Sequence, residues 1–226
     1  MMILKFPNDS GPIYRETIEG RLVAEPWNTA SNLIFLAIVL YWSFRIYKDV
    51  RHHGFLAFSL PVLLIGYIGG TIYHASRSHE VWLLMDWVPI VLLCLAVSFY
   101  FFLKLKIRPQ YITMVIAFPF LVSFSADQLP IMSFLKNIIG YGTLALAILF
   151  PLFRYLYLQK WKNKHLIFLA LSSFVIALSF RSIDLFIDTS VFYMGTHWLW
   201  HLFGGIAVHF LISFIFKDKI VALQQH

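Results

Sequence analysis

Apolar residues run along this chain in long blocks, broken only by short polar connections. Seven blocks approach the roughly 17 to 25 residues that a helix needs to cross a bilayer about 30 Å thick. They cover residues 29–47, 55–73, 81–103, 109–125, 134–157, 166–186 and 197–216. The pattern predicts an all-α membrane protein: one seven-helix transmembrane domain over residues 1–226, with no room for a separate soluble domain. Residues 1–10 lack a charged start, an apolar core and a small-residue cleavage site, so no removable signal peptide is predicted.

Composition agrees. With 60% hydrophobic and 13% charged residues, the chain departs far from the soluble balance of about half apolar and a quarter charged. The single cysteine, Cys94, excludes an internal disulfide.

Charge supplies the orientation. The connections after spans one, three and five and the C-terminal tail hold Arg45, Lys48, Arg51, Lys104, Lys106, Arg108, Arg154, Lys160, Lys162, Lys164, Lys217 and Lys219, twelve of the eighteen lysines and arginines. The positive-inside rule then puts these segments in the cytoplasm, the N-terminus outside and the C-terminus inside. The net charge of +7 is mostly this orienting signal. Its basic residues form no stripe, so no nucleic-acid partner is expected. The protein is expected to be multi-pass, in the inner membrane of a bacterium or an endomembrane of a eukaryote.

Polar residues inside such spans are costly, and each is a functional hypothesis. His197 and His201 are four residues apart at the head of span seven, which puts both imidazoles on one helix face. His74 closes span two on the same outer side, and Asp86 enters span three from it. At 1.5 Å per residue, Asp86 and His201 lie roughly 6 to 9 Å below the outer ends of their helices. Three imidazoles with a carboxylate, bound directly or through water, form the open ligand set of catalytic zinc. The metal-ligand candidates are therefore His74, Asp86, His197 and His201. His165 and His209 read as packing residues, because polar side chains also hold membrane helices together.

Three motifs resemble the alkaline ceramidases. Glu25-Pro26-Trp27-Asn28-Thr29-Ala30-Ser31-Asn32 is similar to their E-x-W-N-x-x-S-N opening. Gly69-Gly70-Thr71-Ile72-Tyr73-His74, with Asp86 twelve residues on, resembles their span-two histidine and span-three aspartate. His197-Trp198-Leu199-Trp200-His201 resembles their closing histidine motif. The wider superfamily includes progestin and adiponectin receptors and enzymes that remodel lipid anchors. The resemblance implies a seven-helix intramembrane hydrolase with zinc on His74, His197 and His201 and Asp86 as general base. The substrate it implies is a membrane lipid such as ceramide, cut to a fatty acid and a sphingoid-type amine.

Two departures from the family stand out. Its serine four residues before the span-two histidine is Gly70 here, so Thr71 is the nearest hydroxyl for the catalytic role, about 100° round an ideal helix. Its acidic calcium cluster is replaced by Gly11 to Glu19. Glu16, Glu19 and Glu25 remain as calcium donors, short of the six or more oxygens that a full cage takes.

The competing readings are a zinc-stabilised receptor or structural bundle without turnover, which Gly70 favours, and a haem protein with His74 and His201 as axial ligands. Asp86 argues against haem. The remaining polar residues have structural explanations. Arg181 and Asp184 are expected to pair along one helix, and Arg77, His79 and Glu80 to form a solvated outer loop. Trp82, Trp87, Trp198 and Trp200 are expected in the interfacial belt, and Gly204 and Gly205 at a close helix contact. Pro89, Pro119 and Pro151 are expected to kink their spans.

Overall fold

The computed structural model describes residues 6–128, 133–188 and 192–223. They form eight helices: α1 (Pro26–Ser31), α2 (Leu33–Ile46), α3 (Gly54–Ser76), α4 (Glu80–Lys104), α5 (Pro109–Asp127), α6 (Ser133–Leu158), α7 (Lys164–Ile183) and α8 (His197–Leu223). Among the described residues, six segments are long and apolar enough to cross a membrane: Pro26–Ile46, Gly54–Ser76, Glu80–Lys104, Pro109–Ala126, Lys164–Ile183 and His197–Asp218. Within α6 the apolar stretch described is Ala145–Leu158. The outward faces are oily. Phe44, Phe58, Phe118, Leu121 and Val175 are all more than half exposed, as suits side chains meeting lipid rather than water.

The chain divides into two compact units. One comprises Met1–Ile90 and Asn163–His226, the other Val91–Lys162. In the smaller unit, Ser98 Oγ donates to the carbonyl of Ala147 at 2.6 Å, and the rings of Phe101 and Tyr155 lie 5.4 Å apart. Pro61, Pro89, Pro119 and Pro151 lie inside continuous helices.

The larger unit carries every metal-ligand, catalytic and calcium candidate named above. On α2 the buried residues Ile38, Val39, Trp42 and Ile46 recur at helical spacing. On α3 the buried set Leu56, Ser59, Leu60, Leu63, Gly70, Tyr73 and His74 does the same, ending on the metal-ligand candidate. The glycines of α3 let α4 come close: a β-carbon on Gly69 would collide with the backbone of Met85. On α8, Gly205 faces Ile34 so closely that a β-carbon would stand 2.6 Å from its Cγ1, whereas Gly204 has open space. The close approach therefore belongs to Gly205 alone. His209 packs as expected, with Trp42 Nε1 donating to its Nδ1 at 3.3 Å.

The segment before α1 is built into the unit although it has no helix. Its Ala24 and Glu25 amides donate to the carbonyls of Ala75 and His74 at 2.9 and 3.1 Å. These carbonyls belong to the last turn of α3, which has no helical partners for them. The Glu16 carboxylate accepts the amides of Trp27 and Asn28 at 2.6 and 2.9 Å, closing the start of α1. Burial pushes its carboxyl above the ordinary value, against those two amides.

Candidate metal centre

α3 delivers His74 on its last turn, and α8 delivers His197 and His201 one turn apart on its first. All three side chains are buried, with exposures of 0%, 1% and 3%. One ligand atom from each lies within 4.8 Å of the other two. The spacing that put His197 and His201 on one face thus meets the end of α3 in space. Together the three can hold a metal ion.

Hydrogen bonds decide which nitrogens are available. His74 Nδ1 lies 2.5 Å from Glu25 Oε2. Burial raises the Glu25 carboxyl, but bonds from His74, Thr17 and Arg77 outweigh it and bring the group below its ordinary value. The acceptor is a carboxylate, so Nδ1 of His74 carries the proton. His201 Nδ1 lies 3.1 Å from the Asn28 carbonyl, which can only accept, so this nitrogen is protonated too. It also lies 2.7 Å from Ser31 Oγ, whose own hydrogen goes to the same carbonyl at 2.9 Å. Both rings therefore present Nε2 as a lone pair. The carboxylate or carbonyl behind each is the support that orients ligating histidines.

Buried nitrogens without partners complete the fit. His74 Nε2 and His197 Nδ1 have no hydrogen-bond partner although both are shielded from solvent, an arrangement that costs a few kcal/mol unless something binds there. Imidazole nitrogens suit zinc and its neighbours among the transition metals. Tyr14 stacks on His197 with ring centroids 3.8 Å apart and planes 23° apart, walling one side. Its own phenol is pushed up by burial.

Asp86 stands apart from the three-histidine group, facing α3 across Gly70. A β-carbon on Gly70 would collide with Asp86 Oδ1 and lie 3.3 Å from Asn32 Oδ1. Gly70 thus makes room for the carboxylate. Thr71, the next residue, has a buried Oγ1 with no hydrogen-bond partner.

Two expectations are corrected. Arg181 and Asp184 form no ion pair among the described residues. Asp184 caps the end of α7 with its backbone still helical, while the Arg181 guanidinium lies 5.1 Å over the Trp200 ring. Asp184 Oδ1 instead accepts the amides of Thr196 and His197 at 2.6 and 2.9 Å, and Oδ2 accepts that of Arg15 at 3.0 Å. The amides of Thr196 and His197 open α8, where unpaired N–H groups and the helix dipole favour an anion. Nor is Arg77 a solvated loop residue: it is 1% exposed and its guanidinium reaches Asp9 and Glu25. Glu80 accepts the amide and hydroxyl of Ser10, and His79 is exposed.

Of the calcium candidates, Glu16 holds the two amides of α1 and Glu25 is surrounded by His74, Asn28, Thr17 and Arg77. Glu19 is exposed. The supports behind the histidines, namely Glu25, Asn28, Ser31, Tyr14 and Asp184, were not read from spacing. The one signal for Glu25, Asn28 and Ser31 is a polar cluster, Glu25 to Asn32, directly before an apolar run. No protein-family model matches the sequence, and a search of curated proteins finds no relative.

Proposed function

We propose that this protein is a zinc-dependent intramembrane hydrolase that cleaves the amide bond of a ceramide-like N-acyl lipid. The observation that carries the reading is the buried triad His74, His197 and His201, one ligand atom of each within 4.8 Å of the others, with the Nδ1 atoms of His74 and His201 held by protein acceptors. Zinc held there supplies Lewis-acid activation of water near neutral pH. Asp86, one helix away, takes the proton of the attacking water and returns it to the nitrogen of the leaving amine as the carbon–nitrogen bond breaks. The Thr71 hydroxyl is the candidate donor to the developing oxyanion. Apolar helices around the triad favour a substrate delivered from the bilayer. The chain is proposed to cross it seven times, α6 included, with the N-terminus outside and the triad near the outer surface.

Gly70 supports a second reading, a zinc-stabilised receptor or structural protein, because no side-chain hydroxyl stands there. One experiment separates the two. Detergent-purified protein is analysed for zinc and incubated with a fluorescent ceramide, beside the His201→Ala variant and a chelated sample. The hydrolase reading expects about one zinc per chain and fatty acid released only by the loaded wild type. Full zinc without release across ceramide, phytoceramide and simple N-acyl amines selects the second reading, and a metal-free wild type sinks both.

A further inference from the structure

Arg77 is among the largest fully buried side chains of the described residues, yet it touches no histidine nitrogen. It caps α3 in the left-handed region, with φ of 48°, a conformation uncommon outside glycine. That turn aims its guanidinium back into the protein. Nε and Nη2 donate to the two oxygens of Asp9 at 3.0 and 2.6 Å, and Nη1 donates to Glu25 Oε1 at 2.7 Å. The carbonyls of Pro12 and Gly11 accept from Nη1 and Nη2 at 3.0 and 3.3 Å. The Tyr73 ring lies 4.7 Å from the guanidinium carbon. Two carboxylates and two carbonyls around one positive charge are the donors of a hard-cation site. Here the cation belongs to the chain.

Glu25 is the shared member. One oxygen accepts from Arg77 and the other faces His74 Nδ1. We propose that Arg77 is a built-in cation and a positioning residue, which holds Glu25 on His74 and pins the N-terminal segment, with Tyr14 against His197, so that this clamp needs no bound ion. The proposal rests on the metal-centre reading for its effect on zinc, but not for its effect on the segment. Without the guanidinium, the carboxylates of Asp9 and Glu25 lose the partner they share, and both are free to swing toward water. That movement takes the acceptor away from His74 Nδ1.

The test uses full-length protein in detergent with three variants, Arg77→Ala, Arg77→Lys and Asp9→Asn. Zinc affinity is measured by chelator competition, and the cobalt-substituted protein gives a ligand-field spectrum. Trypsin nicking at Arg15 and Arg21, both exposed, reports the segment independently of metal. Arg77→Ala is expected to lose roughly 10- to 100-fold in zinc affinity, the usual cost of losing support behind a ligand. Its cobalt spectrum shifts and it is nicked faster. Millimolar guanidinium ion restores all three. Lysine restores them only in part, because one ammonium does not span both carboxylates in a plane. If Arg77→Ala fails to fold, Asp9→Asn carries the test, expected to be nicked faster than wild type.

Zinc affinity within about twofold of wild type together with unchanged nicking overturns the proposal. So does a loss that guanidinium leaves unrepaired, which marks a merely structural arginine, or wild-type nicking in Asp9→Asn where only that variant folds. A wild type without zinc sinks the metal-centre reading alone, and the nicking rates still decide the clamp.

Discussion

Asp184 Oδ1 lies 2.9 Å from the backbone amide of His197, so the residue that opens α8 as a metal-ligand candidate is tied by its own main chain to the loop after α7. The same carboxylate holds Thr196 and Arg15, joining three segments at one buried point. Asp184→Ala orphans three amides and is expected to cost about 3 kcal/mol, since bonds to a buried charged acceptor are worth about 1.5–3 kcal/mol each and water replaces part of them. Asp184→Asn keeps one accepting oxygen and loses less. Thermal unfolding in detergent ranks wild type above Asn above Ala, with zinc affinity in the same order. Equal midpoints for the alanine variant and wild type refute the role given to this residue.

Gly70→Ser restores the hydroxyl that the ceramidase resemblance calls for, and the expected outcome is nevertheless a loss. The new β-carbon collides with Asp86 Oδ1 and crowds Asn32, and overpacking of this kind costs about 1–3 kcal/mol. Fatty-acid release and the thermal midpoint both fall. An increase in turnover would mean that Asp86 yields without losing its function.

Removing the metal is expected to lower stability in proportion to how well the triad binds it. A ligand at a hundred times its dissociation constant stabilises the native state by about 2.7 kcal/mol. Titrating zinc into chelator-stripped wild type raises the unfolding midpoint, whereas His74→Ala shows no zinc-dependent rise. A flat wild-type titration removes the metal centre.

Acid sensitivity follows from Glu25. Its carboxyl lies below the ordinary value of 4.5 despite burial, held down by His74, Thr17 and Arg77. A depressed carboxyl contributes stability that is fully present above the unfolded value and lost as pH falls through the folded one. Glu16 works in the opposite sense, because burial raises its carboxyl and it loses stability as pH rises through the folded value. Chelator-stripped wild type is therefore compared with Glu25→Gln over pH values below 4.5. The wild type loses stability on acidification more steeply than the variant. Parallel curves contradict the charged state assigned to Glu25.

Much of this could be read along the chain because it is local. Apolar runs mark the helices, since lipid leaves no other partner for backbone groups than the helix itself. The four-residue interval from His197 to His201 puts two imidazoles on one face, since a turn takes 3.6 residues. What stayed hidden depends on segments far apart in sequence. Arg77 sits in a polar connection that reads as a solvated loop, yet Asp9, 68 residues before it, buries it. Asp184 stands three residues after Arg181 and reads as its partner, yet its carboxylate accepts the amides of Thr196, His197 and Arg15, which only the fold brings near. Glu25 shows in a motif, but its grip on His74 spans 49 residues.

The sequence alone determined an apolar helical chain and the residue types available as metal ligands, because hydrophobic period and helical pitch act between neighbours. Only the tertiary structure decided which histidine nitrogens are held by protein partners and which carboxylate supports them. Those choices are made by buried charges and orphan amides seeking partners across the fold, and no local pattern encodes where such partners meet.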